Sequence, residues 1–317
     1  MNTVQQEVDE RTNLTGTNKF ELLLFRLGGS REGDRSELYG INVFKVREIV
    51  AMPDITAIAG ALPHVLGVVN LRGQIIQVIN LPAAVGCKPR SALNILLVTE
   101  YARTIPAFAV ESVEEIVRLD WSDVLSAEAS SVGGTVTSIA SIDGNTEGTR
   151  LAQVLDVEQI LWTLSPPLPK ISTESPGQRI QLPPGTVILA ADDSGVARAM
   201  IEASLTAMGA PYIMTKSGKE AWEKLQSLAA SAEKEGKTVS DKVALVLTDL
   251  EMPEMDGFTL TGNIKQAKRF KSLPVVIHSS LSGTTNEAHV KSVGADAYDA
   301  KFSADELAGT LRNILSA

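Results

Sequence analysis

The run ALVLTDLEMPEMDG (244–257) decides how the last third of the chain folds. Its first five residues, ALVLT, form a short apolar strand that ends at Asp249, and a helix is predicted near 257–269. Working outward, the same alternation recurs. VILAA (187–191) precedes VARAMIEASLTAMG (196–209), in which Ala197, Ile201, Leu205 and Met208 recur at helical spacing. YIMT (212–215) precedes a helix near 218–231, PVVIHS (274–279) one near 284–293, and AYDA (297–300) one near 304–316. Five such β–α units predict a parallel sheet covered by helices on both faces.

In open parallel sheets, ligands sit beyond the carboxyl ends of the strands. Those ends carry Asp192 and Asp193, Asp249, Ser279 and Lys301. Any one of them alone reads as a helix cap or a solvated loop residue. Together they place three carboxylates, a hydroxyl and an ammonium on one rim, a set that independent caps would not select. Clustered carboxylates repel one another, and Mg²⁺, which favours a few carboxylates plus phosphate oxygens, relieves that repulsion. Ser279 and Lys301 suit the stabilisation of an incoming phosphoryl group, and Asp249 suits a carboxylate nucleophile.

ADDS (191–194), LTDLEMPEMDG (247–257), PVVIHSS (274–280) and AYDAKF (297–302) resemble the bacterial response-regulator receiver family over about residues 186–317. Thirty residues separate Asp249 from Ser279 and fifty-two separate it from Lys301, as in that family. The resemblance implies a flavodoxin-like, doubly wound α/β domain. It assigns Asp249 as phosphoacceptor, and Asp192, Asp193, Asp249 and the backbone carbonyl of Glu251 as Mg²⁺ ligands. It places Ser279 and Tyr298 at the switch positions and Lys301 against the phosphoryl group. Two features depart from it. Phe302 follows Lys301 where the family usually has proline, and SAEKEGKTVSDK (231–242) lengthens the connection into the third strand as a polar surface insertion.

The 317 residues suit about two domains. Hydrophobic residues make up 44% and charged residues 21%, which excludes wholesale disorder. The net charge of −9 argues against a nucleic-acid partner, and no apolar run approaches the ~20 residues of a membrane span. A single cysteine, Cys87, permits neither an internal disulfide nor a cysteine zinc site. The polar N-terminus lacks the apolar stretch of a secretory signal, so the cytoplasm is the expected compartment. Residues 1–17 read as a flexible lead-in, and 165–185, with six of the fourteen prolines, as an interdomain linker.

Between them, at 18–164, short β-like runs alternate with turn residues: FELLLFRL (20–27), YGINVFKV (39–46), VLGVVNL (65–71), QIIQVIN (74–80), NILLVTE (94–100), AFAVESV (107–113) and VTSIASI (136–142). They predict an all-β barrel or pair of barrels, closed by a helix at VEQILW (157–162). LRGQ (71–74) reads as a tight turn and GGSREG (28–33) as a hairpin connection. Nothing catalytic emerges there.

YGINVFKVREIV (39–50) followed by LPHVLGVVNLRGQIIQVINL (62–81) resembles the CheW-like coupling domains of chemotaxis, with NLRG (70–73) as the most distinctive stretch. The resemblance implies a double SH3-like barrel that bridges methyl-accepting chemoreceptors to a CheA-type histidine kinase. It suggests Val46, Glu48, Gly67, Val68 and Arg72 as a partner-docking surface, with Glu48 and Arg72 able to pair; core packing is the competing reading for the two valines. A coupling domain followed by a receiver is the arrangement of the CheV family. It implies a non-enzymatic phosphoacceptor adaptor, cytoplasmic and associated with receptor arrays at the inner face of the membrane. Two rivals stay open on the residues: an adaptor with a degenerate receiver, and a Mg²⁺-dependent phosphohydrolase. The second expects Asp-x-Asp after its first strand, whereas Asp249-Leu250-Glu251 follows the third.

Overall fold

The structure, a computed structural model, describes residues 19–29, 36–100, 104–126, 134–144, 146–164, 179–280, 290, 293–301 and 304–316. The lead-in at 1–17, most of the linker, and Phe302 lie outside the described residues. The chain divides into two compact units, Met1–Pro166 and Pro167–Ala317.

Among the described residues, the regular structure of the first unit is mainly strands: β1 (Phe20–Arg26), β2 (Leu38–Asn42), β3 (Val46–Ala51), β4 (Val65–Leu71), β5 (Gln74–Asn80), β6 (Ile95–Thr99), β7 (Ala107–Val110), β8 (Ser112–Leu119), β9 (Val124–Ser126), β10 (Val136–Ser141) and β11 (Leu151–Leu155). A five-residue helix α1 (Leu81–Val85) and a closing helix α2 (Val157–Leu164) complete it. One sheet runs β8-β1-β2-β11-β10-β9 and the other β3-β6-β7-β5-β4. Neighbours are antiparallel except β11–β2 and β5–β7. Each sheet has its own core, one around Leu22, Leu24, Leu38 and Val154, the other around Val69, Val78, Leu96 and Val98.

Two predicted runs are broken. YGINVFKV leaves the ladder at Val43–Lys45, a 3₁₀ turn, because the Asn42 side chain accepts from the Phe44 amide at 3.1 Å. AFAVESV parts at Glu111, whose buried carboxylate accepts from the amides of Ser91 (2.7 Å) and Arg90. Beyond Val113 the edge strand β8 has no apolar run to mark it, because SVEEIVRL carries charges that interrupt the alternation.

The second unit consists of β12 (Val187–Ala191), α3 (Gly195–Ala207), β13 (Tyr212–Thr215), α4 (Gly218–Lys234), β14 (Val243–Thr248), α5 (Gly257–Gln266), β15 (Val275–Ser279), β16 (Ala297–Ala300) and α6 (Ala304–Leu315). The sheet is wholly parallel in the order β13-β12-β14-β15-β16. Its strands are apolar on both faces because helices cover both. Ile188, Leu245 and Val276 pack with Ile201 and Leu205 of α3 and Leu307 and Leu311 of α6. Leu189, Val246 and Val275 pack with Ala221 and Leu225 of α4 and Leu260 and Ile264 of α5. The helix expected near 284–293 falls almost wholly outside the described residues.

The segment 231–242 is more than a surface insertion. It prolongs α4 to Lys234 and adds a 3₁₀ turn at Val239–Asp241, burying Ala232 and Val239. Glu235 closes it against Lys242 at 2.7 Å and Lys237 at 3.1 Å, and these ammonium groups hold its carboxyl below the usual range.

Candidate functional site

The strand order turns back on itself between β12 and β14, which is where a doubly wound sheet opens a crevice. Asp192 follows β12 and Asp249 follows β14, so the two acids emerge side by side. Backbone bonds fix both: the Asp249 amide donates to Ala191 O at 2.9 Å, and the Asp192 amide to Thr215 O at 3.2 Å. Asp192 Oδ1 then accepts from the Ser194 amide at 2.9 Å, where Ser194 also caps α3.

Lys301, just past β16, reaches into this crevice. Its Nζ lies 2.9 Å from Asp192 Oδ2 and 3.1 Å from Asp249 Oδ2. All three residues are buried. Asp193, half-buried, completes a group of three carboxylates whose oxygens lie within 4.8 Å of one another. Among the described residues, the three carboxylates outnumber the one ammonium that bridges them, and hard oxygen donors at this spacing fit Mg²⁺.

The remaining residues singled out from the sequence surround this group. Ser279 is buried at the end of β15, and its carbonyl accepts from the Lys301 amide at 2.9 Å. Tyr298 is half-buried and packs with Phe258 against Leu250, Ile277 and Val290. Glu251 is half-buried in the bend that leads from Asp249 toward α5.

Two contributions escaped the sequence reading. A Cβ at Gly257 would fall 2.0 Å from the Asp249 carbonyl oxygen, so only glycine lets α5 begin against that peptide. Arg198, in the first turn of α3, donates from Nη1 to the carbonyls of Asp192 (3.1 Å) and Asp193 (2.8 Å). Its one sequence signal was a cation placed where the helix dipole disfavours it.

In the first unit, Arg72 and Gly73 form the two-residue turn between β4 and β5, both at positive φ (52° and 85°). Asn70 Oδ1 accepts from the Gly73 amide at 2.9 Å and locks it. The turn projects Arg72, 84% exposed, to meet Glu48 on β3 at 2.9 Å. Gly67 is buried where β4 bulges, and a Cβ there would fall 2.3 Å from Thr56 O. Val68 exchanges two 2.9 Å backbone bonds with Thr56. Val46 is 2% exposed and faces the core, so an exposed surface in these stretches is formed without it.

Residues 21–164 match the CheW-like domain family, and residues 188–312 match the response regulator receiver domain family. Chemotaxis protein CheV3 of Helicobacter pylori is 31% identical over 304 residues, spanning 94% of this chain and 95% of that protein. Chemotaxis protein CheV2 of the same organism is 27% identical over 327 residues, spanning 98% and 99%. Among solved structures, the scaffolding protein TtCheW from Thermoanaerobacter tengcongensis aligns at 23% identity with a TM-score of 0.39, covering 45% of this chain and 92% of that one. With both domains matched in order and a CheV relative aligned along nearly its whole length, the chain belongs to the CheV family of chemotaxis proteins.

Proposed function

We propose that this protein is an adaptor that links methyl-accepting chemoreceptors to a CheA-type histidine kinase, and that Mg²⁺-dependent phosphorylation of Asp249 modulates the link. The observation that carries this reading is the buried contact of Lys301 with both Asp249 and Asp192, beside Asp193. Residues 18–164 are then the coupling domain, 165–185 the linker and 186–317 the receiver. The adaptor works in the cytoplasm at receptor arrays. Among the described residues no helix is long and apolar enough to cross a membrane.

Asp192, Asp193, Asp249 and the backbone carbonyl of Glu251 would hold Mg²⁺, which when bound neutralises the carboxylates and the phosphoryl oxygens. An Asp249 carboxylate oxygen forms the new bond to phosphorus as the P–N bond of a donor phosphohistidine breaks. The imidazole nitrogen leaves with the electron pair and takes up a proton. Lys301 and the Ser279 hydroxyl stabilise charge on the transferred group. Attack of water at phosphorus later returns the carboxylate and releases phosphate. Because the Lys301 amide is bonded to Ser279 O, a pull on either residue is felt by both strand ends. In this reading Tyr298, on β16 three residues before Lys301, changes rotamer with them. The coupling domain holds Asp249 near its donor at high effective concentration. Glu48 and Arg72, with Val68, form the docking surface in this reading, and the buried Gly67 shapes the bulge of β4 that carries it.

The test is incubation of the full chain with Mg²⁺ and a small acyl-phosphate donor, followed by mass measurement. Wild type gains one acid-labile phosphoryl group and Asp249→Ala gains none. No phosphate on the wild type would sink the switch. Capture of a purified CheA-type kinase by the full chain, weakened by Glu48→Lys, tests the coupling half; undiminished capture removes that surface from the reading.

A further inference from the structure

We infer that Arg198 is a positioning residue for the acidic pair, holding the backbone from which Asp192 and Asp193 project toward the metal pocket. The inference rests on the Mg²⁺ reading above and extends it to a side chain bonded to the backbone carbonyls of the acidic pair.

Arg198 is the fourth residue of α3, where its amide donates to Ser194 O at 3.0 Å. The positive end of the helix dipole makes this an unfavourable place for a cation. Its guanidinium nevertheless turns back over the helix start, and one nitrogen spans two consecutive carbonyls, Asp192 O at 3.1 Å and Asp193 O at 2.8 Å. Those carbonyls belong to the peptide planes on either side of Asp193. Fixing both planes fixes the direction in which the Asp193 side chain leaves the backbone. Asp192 is held from its other side by its amide on Thr215 O and by the Ser194 amide on its Oδ1. The loop 192–194 is therefore clamped between β13 and Arg198.

A simpler role for Arg198 would be countercharge to an acidic pocket, and the two roles predict opposite signs. Removing a bystander cation lowers repulsion and tightens the binding of a dication. Removing a clamp lets the carboxylates wander and weakens it. Supporting groups behind metal ligands change affinity by roughly tenfold or more when lost.

Full-length wild type, Arg198→Met and Arg198→Lys are titrated with Mg²⁺ by calorimetry, with circular dichroism and melting recorded for each. The expected result is roughly tenfold weaker Mg²⁺ binding in Arg198→Met. Arg198→Lys, which keeps the charge and one reach to a carbonyl, falls between it and wild type. Saturating Mg²⁺ restores phosphorylation of Arg198→Met by the acyl-phosphate donor, because the nucleophile is intact. If Arg198→Met does not melt cooperatively, Arg198→Gln takes its place with the same expectation. Affinity equal to or tighter than wild type in a folded variant overturns the inference and leaves the phosphorylation switch standing. A wild type that binds no Mg²⁺ overturns both.

Discussion

Lys301 sets the electrostatics of the pocket at the scale of single residues. It bridges Asp192 and Asp249, yet one oxygen from each of three carboxylates lies within 4.8 Å of the others, so among the described residues negative charge exceeds what this lysine offsets. Like charges held this close destabilise the fold when no cation joins them. Asp193→Asn is therefore expected to raise metal-free stability by about 1 kcal/mol while reducing the extra stability that Mg²⁺ confers; denaturant melts with and without Mg²⁺ read both. A second buried polar contact lies in the coupling domain, where the Tyr39 hydroxyl and Cys87 sulfur meet at 3.0 Å. Burial pushes both groups above their ordinary values, with their mutual contact raising Tyr39 further and holding Cys87 down somewhat. A raised folded pKa means that the folded state holds its proton longer than the unfolded one. The contribution is thus whole below the ordinary thiol value of 9.0 and is lost as pH rises through the raised values. Melting temperature is expected to fall more steeply above pH 9 for wild type than for Tyr39→Phe, and Cys87 in the folded protein is expected to alkylate slowly at neutral pH. That the acids, the hydroxyl and the lysine of the pocket share one rim is legible in the sequence, because their side-chain types are unambiguous and each follows an apolar run. The role of Arg198 is not, since the reach of a long side chain depends on the rotation of α3 against β12.

Helix α5 shows what the sequence of an element leaves undecided. GFTLTGNIKQ has two glycines and two threonines, a weak helix by propensity. Asp256 starts it by accepting from the Thr259 amide at 2.6 Å, and burial of Leu260 and Ile264 completes the stabilisation. Its two glycines are not equivalent. The Cβ of an alanine at 257 would overlap Asp249 O at 2.0 Å, whereas at 262 the nearest atom is 3.9 Å away, the flexible end of Gln266. Gly257→Ala is expected to cost about 3 kcal/mol and to slow phosphorylation by displacing Asp249. Gly262→Ala is expected to stabilise by about 0.5–1 kcal/mol with phosphorylation unchanged. Urea melts and donor-dependent phosphorylation rates on the two variants separate these outcomes. The first unit teaches the same lesson in strands. Apolar runs there were placed within a residue or two, but their interruptions at Asn42 and Glu111 come from side chains that capture backbone amides, which hydrophobic pattern does not register.

Across the whole molecule, each unit has hydrophobic cores of its own, so each is expected to fold when expressed alone. Residues 1–166 should give a β-type dichroism spectrum, indifferent to Mg²⁺, and 167–317 an α/β spectrum with a melting temperature that rises with Mg²⁺. A fragment 1–166 that melts higher with Mg²⁺ would contradict the proposed assignment of Mg²⁺ to the acidic cluster of the second unit. By itself the sequence determined the class of each unit, because strand and helix periods are local properties of the chain. It also determined which acids, hydroxyl and lysine share one rim, because a parallel sheet sends every strand to the same end. The tertiary structure alone decided that Lys301 spans Asp192 and Asp249, that Val46 turns inward, and that Arg198 reaches back over two carbonyls. These depend on distances between elements far apart in sequence. Such distances are set by how side-chain volumes pack the sheet against its helices, which no local pattern encodes.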